Sequence, residues 1–231
     1  MKKPFLMTFI LIGITFLVTS FWYFTSGPNS FPTDEQLVEE ITNSFSILSN
    51  SEIQDTVFLD DRHVFVPFKA EDEMYGFSLW KWNNRKWNEV FVSTNGDVRV
   101  WKIDSKDPTT FRVVWNYPPQ DKVSYMKLYL VHERGAQVSD YEEHYKPAVQ
   151  LEQTIRLSEN LYGSKKLSQE WIPVLQSFND SPIIPSYYFG WNTYDSADKS
   201  TYPERNENGN SSGGGDTYID FPIYFEESAL E

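Results

Sequence analysis

The chain has 231 residues, a formal net charge of −13 and no cysteine. The acidic balance argues against binding to nucleic acid or anionic lipid, which need basic surface, and the lack of cysteine excludes disulfide-stapled folds and thiol catalysis. With 40% hydrophobic and 17% aromatic residues, the chain can build a packed core and is not a disordered protein.

The first feature along the chain is an apolar segment over residues 5–24, preceded by two lysines. As a helix, 20 residues cover roughly 30 Å, the thickness of a bilayer's hydrocarbon core. The lysines predict that the N-terminus stays in the cytoplasm and that the rest of the chain lies outside. The predicted organisation is a cytoplasmic start (1–4), a transmembrane anchor (5–24), a linker (25–33) and an extracytoplasmic domain (34–231).

The alternative for the same segment is a cleaved signal peptide. Val18, Thr19 and Ser20 form a small-residue cleavage site, and cutting there would leave the apolar Phe21 as the new terminus. The length of the apolar run favours a retained anchor, whereas cleavage would yield a secreted structural protein. A cysteine-free exterior domain fits a Gram-positive bacterium better than a eukaryote.

Two helices are predicted in the exterior domain. Thr33 and Gln36 have capping-box spacing, and Leu37 and Ile41 begin an apolar stripe over the residues that follow. A second helix is predicted over residues 168–179, with Pro173 in its first turn.

From about residue 56 the pattern is typical of strands, because β-branched and aromatic residues alternate between short turns. Such short connections cannot hold crossover helices, so we predict an α+β domain built on one antiparallel, mostly meander sheet with two flanking helices. Asn95-Gly96 predicts a type I′ hairpin with positive φ at Gly96, which would pair Val92 with Arg99.

The preceding hairpin can also be given a register. A loop over residues 83–86 would set Trp82 opposite Trp87, Trp80 opposite Glu89, and Leu79 opposite Val90. Alternation would then leave Val92 on the Leu79 face and Phe91 on the Trp80 face, with both faces apolar and covered.

The last fifth of the chain changes in character. Residues 204–215 are rich in glycine, serine and asparagine, which predicts a flexible loop and dispensable spacer. The stretch resembles a calcium loop only loosely, since Ser211 and Thr217 stand where glycine and glutamate are needed. Aromatic residues return over 217–225, so the tail is expected to come back as an edge strand.

No residue is predicted to be catalytic, to bind a metal or to hold a cofactor, because no nucleophile elbow and no close histidine pair occur. The candidate binding residues are Trp80, Trp82 and Trp87, whose indoles could stack on a sugar or anchor a protein; core packing explains them equally well. The sequence therefore favours a non-catalytic, membrane-anchored binding module at the cell surface, with an envelope protein or glycan as partner. A cell-envelope hydrolase using carboxylates is the alternative.

Overall fold

The computed structural model describes residues 10–19, 21, 27–132, 135–139, 142–146, 148–157, 160–179, 187–201, 210–213 and 218–225. Residues 10–19 are helical and exposed. Within these described ranges, no helix is long and apolar enough to cross a membrane. The rest of the predicted anchor, apart from residue 21, lies outside the described residues.

Both predicted helices of the domain are present. Helix α1 spans Asp34–Ser44, and the backbone N–H of Thr33 donates to Oε1 of Gln36 at 3.0 Å, as the capping box requires. Helix α2 spans Ile172–Asn179 and follows a short 3-10 turn, so Pro173 lies in the first turn, where its missing N–H has no helical partner to lose.

The described residues contain sixteen strands, several of them only two or three residues long. They are β1 (Glu52–Ile53), β2 (Val57–Asp60), β3 (His63–Lys69), β4 (Tyr75–Asn83), β5 (Lys86–Ser93), β6 (Arg99–Lys102), β7 (Arg112–Asn116), β8 (Tyr125–His132), β9 (Gly135–Ser139), β10 (Glu142–Lys146), β11 (Val149–Arg156), β12 (Tyr162–Lys166), β13 (Tyr187–Tyr194), β14 (Ser211–Gly213), β15 (Tyr218–Asp220) and β16 (Ile223–Tyr224).

These strands form three sheets and a separate hairpin. Sheet A has the order β1-β3-β4-β5-β14, with β2 also paired to β3; sheet B is β12-β7-β6-β15; sheet C is β11-β8-β13-β16. Strands β9 and β10 pair with each other. The pairing is antiparallel except between β13 and β16. The α+β class with antiparallel sheets is therefore confirmed, but the prediction of one meander sheet is wrong.

The sheets stack in layers, with sheet B in the middle. On β6, Val100 packs between sheets B and C, while its neighbour Trp101 packs between sheets A and B. Val113 and Val114 divide in the same way on β7, because successive strand residues point to opposite faces. Helix α1 covers the outer face of sheet A. Helix α2 packs on the core between sheets B and C, so the two helices do not flank one sheet.

The connection at Asn95-Gly96 carries the chain from sheet A to sheet B, so it is not a hairpin. Strand β5 pairs with β4 and β14, and β6 pairs with β7 and β15, so the predicted pairing of Val92 with Arg99 is wrong. Gly96 does not adopt a positive φ; it is needed because an added Cβ would lie 1.5 Å from the carbonyl oxygen of Asn116.

The tight hairpin turn lies one connection earlier, between β4 and β5. Asn84 and Arg85 have φ values of 52° and 61°, as a type I′ turn requires. The predicted pairs at Trp82 and Trp80 are confirmed, but the register shifts at the next residue, where Leu79 faces Phe91. The bulge exchanges the predicted faces: Phe91 packs between sheets A and B, and Val92 packs under α1.

The C-terminal segment adds one edge strand to each of the three sheets. Within the predicted flexible loop, residues 211–213 form β14 on the edge of β5, and the backbone N–H of Thr94 donates to the carbonyl of Asn210 at 2.9 Å. The prediction of a loop is therefore wrong for residues 211–213, because backbone pairing with β5 holds these small residues in a strand. Residues 204–209 and 214–215 lie outside the described residues. The expected return of the tail is confirmed: β15 borders sheet B and β16 borders sheet C.

Candidate functional site

The three predicted tryptophans lie on the outer face of sheet A, towards helix α1. Trp80 is 1% exposed and Trp82 is 6% exposed, whereas Trp87 is half-buried. The indole N–H of Trp80 donates to Oγ of Ser78 at 2.8 Å, so this side chain is satisfied inside the core. Trp82 and Trp87 meet edge to face, with ring centroids 5.5 Å apart. Core packing thus accounts for Trp80 and Trp82, and Trp87 is the member of the set that can reach a ligand.

The segment before α1 covers the Trp87 indole on one side. The ring of Phe31 lies 4.9 Å from that of Trp87 and 5.9 Å from that of Trp80. The Trp87 N–H donates to the carbonyl of Asn29 at 3.2 Å. Phe58, an exposed residue of β2, contacts Phe31 at 5.6 Å between centroids. The predicted linker is therefore docked on the domain at Asn29 and Phe31.

Beside Trp87 a cleft of about 300 Å³ lies between helix α1 and strand β5, which we call the Trp87 cleft. Its lining combines one indole with side chains that donate and accept hydrogen bonds: Glu40, Asn43, Ser44, Lys86, Trp87, Asn88 and Glu89. The helix supplies the first three of these residues, and β5 supplies the others.

Glu89 is the most perturbed group of the Trp87 cleft. Burial disfavours its charged form, and the charge of Glu40 adds to this effect, so the pKa of Glu89 rises to about 7. The hydroxyl of Ser44 opposes the shift by donating to Oε1 of Glu89 at 3.2 Å. Near neutral pH the carboxyl is therefore divided between an acceptor-only carboxylate and an acid that can donate.

Sequence reasoning missed Glu89 as a site residue and treated it only as the partner of Trp80. The predicted pairing of Glu89 with Trp80 was correct. An acidic residue directly opposite a buried indole was therefore the signal in the sequence that could have identified Glu89 as a site residue. Helix α1 itself follows from local pattern, but its position across β5 and the bulge beside this pair do not, and these two features form the cleft.

The other ionisable pair of interest is Asp60 with His63 at the end of sheet A. Nδ1 of His63 lies 2.8 Å from Oδ1 of Asp60, and the imidazole meets Trp101 at 5.3 Å between centroids. Burial lowers the pKa of His63 despite this carboxylate. Nε2 is buried and makes no hydrogen bond within the described part of the chain, so no nucleophile completes a triad there.

Metal binding has no support from the residues that the structure describes, since no three acidic, histidine or cysteine side chains converge there. Comparison with protein-family models, curated proteins and solved structures gave no match to this chain.

Proposed function

We propose that this is a single-pass membrane protein of a Gram-positive bacterium, with its N-terminus in the cytoplasm and its folded domain outside. The apolar run over residues 5–24 and the two lysines before it support this proposal. The expressed protein is expected to fractionate with membranes and to resist a high-salt wash. A mature chain that begins at Phe21 would instead support the secreted alternative.

We further propose that the domain is a non-catalytic binding module whose envelope ligand, a glycan or a protein, contacts the Trp87 cleft. One observation carries this: a half-buried indole stands next to amides, a hydroxyl and two carboxyl groups in one concave site. Ligand sites generally combine an aromatic surface with a few convergent polar groups.

The test is binding of the detergent-solubilised full chain to an insoluble Gram-positive cell-wall preparation. Asn43→Ala, on the helix side of the cleft, is expected to weaken binding about tenfold. Glu39→Ala is the matched control, because Glu39 is exposed on the same helix and does not line the cleft. Equal binding by both variants and the wild type would remove the Trp87 cleft from the proposal.

A hydrolase remains the second candidate, because the raised pKa of Glu89 is what a general acid needs near neutral pH. Glu40 would have to serve as the second carboxylate. Release of reducing ends from the same cell-wall preparation distinguishes the two functions. A hydrolase releases them and stops when Glu89→Gln is introduced, whereas a binding module releases none in either form.

A further inference from the structure

A second cleft, of about 550 Å³, lies where sheet B meets sheet C, and we call it the Lys102 cleft. Strand β6 contributes its floor, β13 one wall, and the C-terminal arm (residues 218–225) the other. The described residues that line it are Lys102, Tyr187, Tyr188, Phe189, Ile219, Asp220 and Phe221. Four of these seven are aromatic, and none belongs to the Trp87 cleft.

The floor is a mostly buried ion pair. Nζ of Lys102 lies 2.5 Å from Oδ2 of Asp220, and the lysine side chain is 16% exposed. Aromatic rings surround the ammonium, with Nζ at 5.1 Å from the centroid of Tyr187 and 5.8 Å from that of Phe189. Burial opposes the charge, but the carboxylate of Asp220 and the phenol of Tyr187 outweigh it, so the pKa of Lys102 is raised. The floor therefore carries one positive charge, on Lys102, and one negative charge, on Asp220, and its net charge is zero.

The outer wall keeps an aromatic ring in solvent. Phe221 is 52% exposed, although a large apolar side chain gains free energy by burial. The guanidinium of Arg99 lies 4.6 Å from the Phe221 centroid, and the ring of Phe91 meets it at 6.0 Å. These contacts hold Phe221 beside the cleft, with half of its surface available to a ligand.

The charges of the cleft restrict what can bind. An anion would be repelled by Asp220 beside Lys102 and would approach a chain of net charge −13. A cation would meet Lys102 and find Asp220 already engaged. A neutral ligand avoids both costs.

The polar groups restrict the ligand further. An ammonium carries three donors, of which Asp220 takes one, and a carboxylate has several acceptor positions. Two adjacent hydroxyl groups of a sugar can accept from the Lys102 ammonium and donate to the Asp220 carboxylate together. The C–H face of the sugar ring can then lie against the aromatic rings of the cleft. We infer that the Lys102 cleft binds a neutral carbohydrate. This goes beyond the proposed function, because it neither uses the Trp87 cleft nor depends on the anchor.

A purely structural role for the ion pair makes a different prediction. In that case the only role of the Lys102–Asp220 ion pair is to hold β15 on β6, where Tyr218 pairs with Lys102. Such a fastening needs neither an open cleft nor an exposed Phe221. Phe221→Ala therefore separates the two roles, since it leaves the ion pair in place.

The experiment uses the detergent-solubilised full chain on an array of neutral oligosaccharides of glucose, galactose, mannose and N-acetylglucosamine. The best-bound oligosaccharide is then titrated against variants. Phe221→Ala and Asp220→Asn are expected to raise Kd at least about tenfold. Tyr218→Ala is the matched control: Tyr218 is 56% exposed on the same arm but does not line the cleft, so its Kd should change by less than about twofold.

Several outcomes would overturn the inference. One is that the array shows no binding at millimolar oligosaccharide; another is that Phe221→Ala binds as the wild type does. If binding is lost with Asn43→Ala and kept with Phe221→Ala, the ligand lies in the Trp87 cleft, which supports the proposed function alone. If Asp220→Asn lowers the melting temperature and Phe221→Ala leaves affinity unchanged, the ion pair is only a fastening.

Discussion

Replacing Glu89 by glutamine should stabilise the protein at alkaline pH and leave its stability unchanged in acid. A carboxyl group whose folded pKa is raised binds its proton more tightly in the folded state. Below the ordinary value of 4.5 the group is neutral in both states. As pH rises from 4.5 through about 7, the unfolded chain gains from ionising Glu89 and the folded domain does not, so wild-type stability falls. Glutamine has no such titration.

The magnitude follows from the size of the shift. Moving a pKa from 4.5 to about 7 corresponds to roughly 3 kcal/mol. Glu89 is half-buried, so solvent screening reduces the expected gain to about 1–2 kcal/mol at pH 8. For a chain of this size that is a rise of about 2–8 °C in Tm, measured by differential scanning fluorimetry.

Glu39→Gln, on the exposed face of α1, is the control and should leave Tm unchanged at both pH 4 and pH 8. An equal shift for Glu89→Gln at the two pH values would refute the reasoning, because it would show that the gain does not come from ionisation.

Two further predictions concern glycines that make room for other parts of the chain. Gly96→Ala should lower the free energy of unfolding by about 2 kcal/mol or more, because its Cβ would overlap the carbonyl of Asn116; urea denaturation measures this. Gly190→Ala should release the C-terminal arm, since the new Cβ would lie 2.0 Å from the ring of Phe225, and limited proteolysis should then cut the arm faster. Gly27→Ala, with open space around it, should be silent in both assays, and any large effect there would undermine the comparison.

Local signals predicted the elements of this fold well. The capping box placed the start of α1 at Thr33, and Leu37 and Ile41 are buried beneath it. The position of Pro173 set the start of the second helix to within one turn. In these cases the contacts that determine the helix boundaries join residues only a few positions apart, so the sequence pattern is enough to predict them.

The division into three sheets could not be predicted from the same signals. Strands β6 and β7 are apolar on both faces, which indicates a covered sheet but does not distinguish a helix from a second sheet as the cover. Asn95-Gly96 has a hairpin sequence, yet Asn116 approaches Gly96 from another part of the chain. The backbone N–H of Asn116 donates to the carbonyl oxygen of Gly96 at 2.8 Å. A long-range contact selected the conformation, and local propensity did not.

The clefts were harder to predict than the elements. Trp87 was among the predicted residues because indoles on a sheet face are visible in the sequence, but Glu40 and Glu89 come together only when α1 lies across β5. Lys102 and Asp220 are 118 residues apart and meet because β15 returns to the edge of sheet B. Nothing in either segment alone indicates a site.

The docked linker gives the two clefts different surroundings if residues 5–24 span the membrane, as we propose. Asn29 is fixed on Trp87, and five extended residues beyond position 24 reach at most about 18 Å. The Trp87 cleft would then lie close to the bilayer surface. The Lys102 cleft lies at the junction of sheets B and C, and its wall residue Phe221 meets Phe91 on the inner face of sheet A. Sheet A therefore separates this cleft from the anchored face. A ligand of the Trp87 cleft must therefore be reachable near the membrane, whereas the Lys102 cleft can take a carbohydrate from further out in the envelope.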